Sequence, residues 1–309
     1  MSSPVNLPVE IPGRLAGALR SGRFAVTAEI GPPRGADPGA VRAAAAVLRG
    51  RVDAANVTDN QGAQVRVGSL AGSALAQAAG LEPIMQMTCR DRNRIALQSD
   101  LLSAGALGVP NLLLMTGDRP ERGDHPDATA VFDLTSGSLM AAARALRDDG
   151  VLLSGRAVEP RPRFLLGAVD AGAGTPERLA QKVADGAEFV QTQFVFDVGA
   201  FAAWMRRVRD LGLDTRCGIL AGVGPVRSLR ALDFMAGIPG VVVPPELERR
   251  LRGVAAERVA EEGMAACAET VAALREMPGV AGVHVMAVGF ERGVPAILDA
   301  AGIGPVPVA

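Results

Sequence analysis

Four positions in the first part of the chain, Glu29, Thr58, Thr88 and Asp118, follow one another at intervals of 29, 30 and 30 residues. Each closes a short apolar run: 24–30, 52–58, 83–89 and 111–116. Between these runs lie stretches that read as helices, over 40–48, 65–79 and 93–107. A strand–helix unit recurring at this period makes a parallel sheet, because strands that run the same way need a crossover between them. The fourth run, Asn111 to Met115, has no helical stripe and no polar face, so it reads as a strand buried on both sides. Gly117 lets the chain turn out of the sheet and Pro120 forbids a continuing ladder. Asp118 is then a carboxylate at the carboxyl end of a buried parallel strand, where α/β sheets place their chemistry. Taken alone, it serves equally well as the cap of the next turn or helix.

The pattern continues to the end of the chain. Further strands are expected at 164–170, 189–194, 217–222 and 283–288, and helices at 134–147, 175–185, 197–208, 227–236 and 294–300. A longer helical excursion spans 246–276. Residues 1–20 read as an N-terminal arm with a short helix at 14–19, and residues 21–309 as one domain. Eight strands alternating with helices fit a (β/α)8 TIM barrel with a helical insert before the last strand. A doubly wound open sheet is the runner-up, weakened because no GxGxxG opens a helix after the first strand. The polar loop 119–132 has the length of a functional lid.

The carboxyl ends of eight barrel strands form one mouth. Glu29, Thr58, Asp59, Gln86, Thr88, Asp118, Asp170 and Gln193 are expected there. Carboxylates mixed with neutral hydrogen-bonding groups disfavour a metal, and two histidines in the chain are too few for a His-rich site. The three cysteines are scattered without CxxC pairing and read as buried, reduced thiols. A mouth that is acidic and poor in nucleophiles suits a bound cofactor that does the hard chemistry. The net charge of −1 argues against a nucleic-acid or anionic-membrane partner. The N-terminus has no apolar signal core and no run nears the ~20 apolar residues of a membrane span, so a soluble cytoplasmic protein is expected. Lys182 is the single lysine among many arginines, a survival that either has a reason or reflects chance on a helix surface.

Five stretches carry a resemblance. They are Thr27-Ala28-Glu29-Ile30-Gly31-Pro32-Pro33, Asn56-Val57-Thr58-Asp59-Asn60, Gln86 to Arg94, Thr116-Gly117-Asp118, and Gln191 to Asp197. In this order, each at a strand end, they resemble methylenetetrahydrofolate reductase over about residues 23–300, and more the short bacterial form, including that of acetogens, than the enteric one. The resemblance implies a flavin, FAD or FMN, in the barrel mouth. It implies a ping-pong cycle in which NADH or NADPH reduces the flavin, which then reduces 5,10-methylenetetrahydrofolate to 5-methyltetrahydrofolate in one-carbon metabolism and methionine biosynthesis. Glu29 matches the acid that protonates the ring nitrogen and opens the five-membered ring to an iminium. Burial among Val26, Ala28 and Ile30 would keep its proton available near neutral pH. Asp118 matches the aspartate between pterin and flavin, and Gln193 a folate-binding amide. Thr58 and Gln86 match contacts to the flavin ring, with Asp59, Thr116 and Gly117 beside them, and Lys182 a contact to the cofactor's phosphate or ribose.

Some positions depart from the enteric pattern. Gly167 to Gly172 lacks the aromatic and His contacts to adenosine, which leaves FAD against FMN open. Leu229 and Phe290 stand near the places of a stacking Phe and an Arg, so contacts to NAD(P)H and the folate tail do not carry over. These losses leave room for a different electron donor, such as a second, iron–sulfur-bearing subunit. The resemblance also implies a homo-oligomer. Two alternatives stay open: a flavin- and folate-binding subunit active only with an electron-transfer partner, and a pterin-binding methyltransferase barrel without redox chemistry.

Overall fold

In a computed structural model that describes residues 4–7, 11–287 and 289–307, eight parallel strands close into a barrel in sequence order. They are β1 (Ala25–Ile30), β2 (Ala54–Val57), β3 (Pro83–Thr88), β4 (Asn111–Met115), β5 (Leu165–Asp170), β6 (Phe189–Phe194), β7 (Gly218–Val223) and β8 (Val280–Val285). Closure is made by β8 against β1, with Thr27 opposite His284. The crossovers are helical: α1 (Arg14–Ser21) precedes β1, and α2 (Pro38–Leu48), α3 (Ser69–Ala78), α4 (Arg94–Ala106), α5 (Ser136–Asp148), α6 (Glu177–Asp185) and α7 (Val198–Asp210) follow β1 to β6 in turn. After β7 come α8 (Leu229–Ala236), α9 (Pro245–Arg252) and α10 (Val259–Arg275), and α11 (Val294–Ala300) follows β8. Among the described residues no helix is long and apolar enough to cross a membrane.

Side chains alternate along each strand, so every second residue fills the interior. The lowest layer is apolar: Ala25, Ala54, Ile84, Leu113, Leu165, Phe189 and Leu220 form one buried cluster. Leu15 and Leu19 of α1 belong to the same cluster, so this helix plugs the amino-terminal end of the barrel. Two glycines make room for that plug. A Cβ on Gly167 would meet the Phe189 ring at 2.2 Å, and one on Gly218 would meet Leu19 at 2.6 Å. Above this layer the interior turns polar, with Thr27, Asn56, Gln191 and His284 all buried. Glu29, Gln86 and Thr88 come next along their strands and open the mouth.

Several sequence expectations shift in register or extent. The last strand spans Val280–Val285 rather than 283–288, and Val288 lies outside the described residues, as do 1–3, 8–10 and 308–309. A glycine permits this early start, since a Cβ on Gly282 would fall 2.1 Å from the Ala25 carbonyl oxygen. The third helix begins at Ser69 rather than 65, because Asn60 and Ala63 take left-handed conformations (φ 48° and 56°) that hold residues 59–68 as a loop. The helical stretch 246–276 is two helices. Its second, α10, packs against β7, β8, α7 and α11 as a wall of the barrel, while α8 and α9 are the added pair.

Candidate active site

A cavity of about 790 Å³ opens at the carboxyl ends of the strands, within the size range of cofactor sites. Glu29 stands on its floor, 6% exposed. Burial pushes its carboxyl group up to about 7 from an ordinary 4.5, because desolvation penalises the charged form. Hydrogen bonds from Gln61 and Gln86 pull the other way, and the charge of Glu291 adds a small push upward. The Gln61 Nε2 donates to Glu29 Oε1 at 3.2 Å. A carboxyl group poised near neutrality can hold a proton and give it up, which is the requirement for a general acid.

Most of the residues expected at the mouth line this cavity: Asp59, Gln86, Thr88, Thr116, Gly117, Asp118, Asp170, Lys182 and Gln193. Their surroundings differ. Asp118 is exposed and its Oδ2 accepts from the Gly62 amide at 3.2 Å. Gln193 is half-buried and its side-chain amide has no partner among the described residues, which leaves it free for a ligand edge. Asp59 is committed: it accepts from the Thr88 amide at 2.8 Å and from the Thr88 hydroxyl, and pairs with Arg92. Lys182 Nζ lies 2.5 Å from Asp170 Oδ2, so the lone lysine first answers a carboxylate of the protein. Gly117 has φ 91°, and a Cβ there would strike Thr88 at 2.9 Å, so this turn needs glycine.

Thr58 is the exception. It is fully buried with its hydroxyl unpartnered and lies off the cavity wall. The strand ends at Val57, so alternation no longer sets which way residue 58 faces, and Asp59 takes the wall in its place.

Three residues that motif reading passed over also line the cavity: Asn56, Gln191 and His284. Asn56 Nδ2 donates to Gln191 Oε1 at 2.7 Å, and Gln191 Nε2 returns a bond to Asn56 Oδ1 at 3.0 Å. His284 reaches Thr27 Oγ1 through Nδ1 at 3.0 Å and Asn56 Nδ2 through Nε2 at 3.3 Å. Burial pushes its imidazole down to about 3, so it is neutral at any physiological pH. The available signal was polarity at inward-facing positions of otherwise apolar strands. Cys89 is buried and its thiol is held up at about 11, so it offers no thiolate. Among the described residues no group of three or more His, Cys, Asp or Glu is placed to hold a metal ion.

Three loops cover the mouth. Arg90 Nη1 donates to the Asp118 carbonyl at 3.2 Å and Nη2 to the Asn60 carbonyl at 3.3 Å. The Asp124 carboxylate accepts from the Val65 amide at 3.2 Å, fastening the loop 119–132 to the loop after β2.

The fold and site are those of a (β/α)8 barrel with a ligand-sized cavity at the carboxyl ends of its strands and a buried, protonatable carboxyl group among side-chain amides. The family model for methylenetetrahydrofolate reductase matches residues 14–302, and the chain belongs to that family. Methylenetetrahydrofolate reductase 1 of Schizosaccharomyces pombe is 25% identical over 72% of this chain and 36% of its own length. The 5,10-methylenetetrahydrofolate reductase of Pectobacterium carotovorum is 26% identical over 55% of this chain and 52% of its own. The chain thus spans about a third to a half of these relatives. Among solved structures, an uncharacterized protein from Clostridium thermocellum that binds two copies of 5-methyl-5,6,7,8-tetrahydrofolic acid superposes with a TM-score of 0.61. It is 15% identical, covers 90% of this chain and 94% of its own, and shares the fold.

Proposed function

We propose that this protein reduces 5,10-methylenetetrahydrofolate to 5-methyltetrahydrofolate with a bound flavin, fed by NADH or NADPH. The observation that carries the reading is Glu29: a carboxyl group held at about 7 on the floor of the cavity. Opening the five-membered ring of the substrate needs a proton at its departing nitrogen, and a group titrating near the working pH delivers one with least penalty. Asp118 at the rim would accept hydrogen bonds from the amino-pyrimidine edge of the pterin and offset the positive charge of the iminium. Gln193, with a free amide, would donate and accept along the same edge.

A flavin ring fits the donor set. Gln86, Thr88 and Thr116 offer neutral polar contacts, and Leu113, Leu114, Met115 and Ala168 offer an apolar flank in the same cavity. Arg178 also lines the cavity and has no ion pair among the described residues, which suits it to a phosphate, with Lys182 beside it once shared with Asp170. When bound, the flavin supplies the hydride. The residues of the chain hold the pterin, place the proton and exclude water through the loop cover. In the proposal the protein works without a membrane or a nucleic acid, as a homo-oligomer in the cytoplasm.

The test is direct. The purified protein should be yellow, lose its flavin absorbance anaerobically with NADH or NADPH, and regain it on adding methylenetetrahydrofolate. A yellow protein that stays oxidised until an iron–sulfur electron-transfer partner is added would move the donor to that partner. A colourless protein that binds methyltetrahydrofolate would defeat the redox reading and favour methyl transfer. Glu29→Gln should keep reduction by NAD(P)H and slow the folate half-reaction by about 10²–10⁴-fold, the usual worth of a general acid. Equal survival of both half-reactions in that variant would remove Glu29 from the role.

A further inference from the structure

The polar layer beneath Glu29 is more ordered than a barrel floor needs. Thr27 has one hydroxyl hydrogen, and the Val283 carbonyl at 3.3 Å is there to take it. Its oxygen then accepts from its two other neighbours, His284 Nδ1 at 3.0 Å and Gln191 Nε2 at 3.5 Å. With the Thr27 hydrogen on Val283, the imidazole proton falls on Nδ1 and the lone pair on Nε2. Asn56 agrees with this: one amide hydrogen goes to Gln191 Oε1 and the other faces His284 Nε2. Turning both amides over would set Gln191 Oε1 against Thr27 Oγ1. The Thr27 hydrogen would then be drawn from Val283, leaving that carbonyl without it.

The Nε2 lone pair also looks toward Glu29, with Oε2 4.0 Å away. The other oxygen, Oε1, is taken by the Gln61 amide. A proton on Oε1 would compete with that donor, whereas a proton on Oε2 faces the His284 lone pair. The gap is just beyond hydrogen-bond range, and the last torsion of a glutamate side chain is soft enough to close it.

We propose that His284 is a positioning residue for Glu29: its imidazole turns the Nε2 lone pair on Oε2 and seats the carboxyl proton there. The proposal rests on the reading of Glu29 as the acid. It implies that the proton leaves for the substrate from Oε2, while Oε1 stays tied to the loop after β2 through Gln61. The groups facing Glu29 are His284 from β8, Gln86 from β3, Gln61 from the loop after β2 and, through its charge, Glu291 from the turn before α11. Gln61 and Gln86 face the carboxyl group as hydrogen-bond donors, which favour its charged form, whereas the His284 lone pair favours the protonated one.

Two measurements test this without turnover. The chain has two histidines, so ¹⁵N-histidine spectra contain two imidazoles, and His125→Asn in the exposed loop assigns them. His284 should show a protonated Nδ1 and a bare Nε2 from pH 5 to 9. A proton on Nε2 would overturn the proposal. The second measurement is the infrared carboxylic-acid band that disappears in Glu29→Gln, followed against pH. His284→Asn keeps a donor for Thr27 and loses the acceptor at Nε2, so the band should titrate away at least one pH unit lower than in the wild type. His284→Gln, which reaches the Nε2 position, should restore most of that shift. An unmoved titration in folded His284→Asn would also overturn it. If both spectra behave as stated and Glu29→Gln still reduces folate at full rate, the acid assignment fails on its own and the hydrogen-bond assignment stands.

Discussion

Glu29 and His284 are a burden on the fold that holds them, and they burden it in opposite directions. The carboxyl group titrates at about 7 in the folded protein against 4.5 when exposed. Between those values the folded chain keeps a proton that the unfolded chain has lost, so this group contributes stability below pH 4.5 that is lost as pH rises to 7. The total is about 3 kcal/mol, at 1.36 kcal/mol for each pKa unit. His284 goes from 6.5 to about 3, so its contribution is complete above pH 6.5 and lost as pH falls through that window. From about 4.5 to 6.5 the two slopes oppose and nearly cancel. Denaturant unfolding should therefore show a flat profile for the wild type there, a stability that rises with pH for Glu29→Gln, and one that falls for His284→Asn. Parallel profiles for all three proteins would mean that burial is not the cause of either shift. At the rim, Asp118→Asn should weaken folate binding by about 10–100-fold, as loss of a charge-assisted hydrogen bond does. Reduction by NAD(P)H should be spared, and isothermal titration with methyltetrahydrofolate checks the binding loss.

At the scale of elements, α1 is the piece whose contribution is easiest to isolate. Its first amide donors meet the Glu82 carboxylate, with Arg14 N at 2.5 Å and Leu15 N at 3.1 Å, and Asn111 Nδ2 donates to the same group at 2.9 Å. A carboxylate at a helix N-terminus satisfies orphan amides and meets the positive end of the helix dipole. Glu82→Ala should cost about 2 kcal/mol, the upper range for a helix cap. Leu19→Ala should cost about 2–5 kcal/mol as a cavity in a sealed core. Both losses should appear as lower denaturation midpoints with ligand binding at the mouth unchanged, because the plug is at the opposite end of the barrel. The loop cover is held differently, by side-chain bonds to backbone that include Arg90 on two carbonyls and Asp124 on the Val65 amide. Arg90→Ala should speed hydrogen exchange in residues 119–132 and leave the barrel strands protected.

Over the whole molecule, the order of the interior explains how much of this was legible beforehand. The strand–helix period gave the barrel because each 30-residue unit carries its own apolar run and its own crossover. Glu29, Asp118 and Gln193 could be placed at the mouth for the same reason: each sits at the end of a run that is recognisable locally. Thr58 was misplaced because β2 stops one residue early, and no local rule sets the direction of a side chain beyond a strand end. The shift of β8 has a similar origin, since Gly282 is explained only by the Ala25 carbonyl across the barrel seam. The polar floor lay further out of reach. Asn56 finds Gln191 across 135 residues of chain and Thr27 finds His284 across 257, so neither pairing leaves a spacing to read. What the amino-acid sequence determined by itself was the repeat, the closed parallel sheet and the set of polar groups at its carboxyl edge, because hydrophobic period and strand punctuation are local properties. The tertiary structure alone decided how the polar floor pairs and which imidazole stands behind Glu29, and it supplied the desolvation expected of that acid, because desolvation depends on every element that closes over the group.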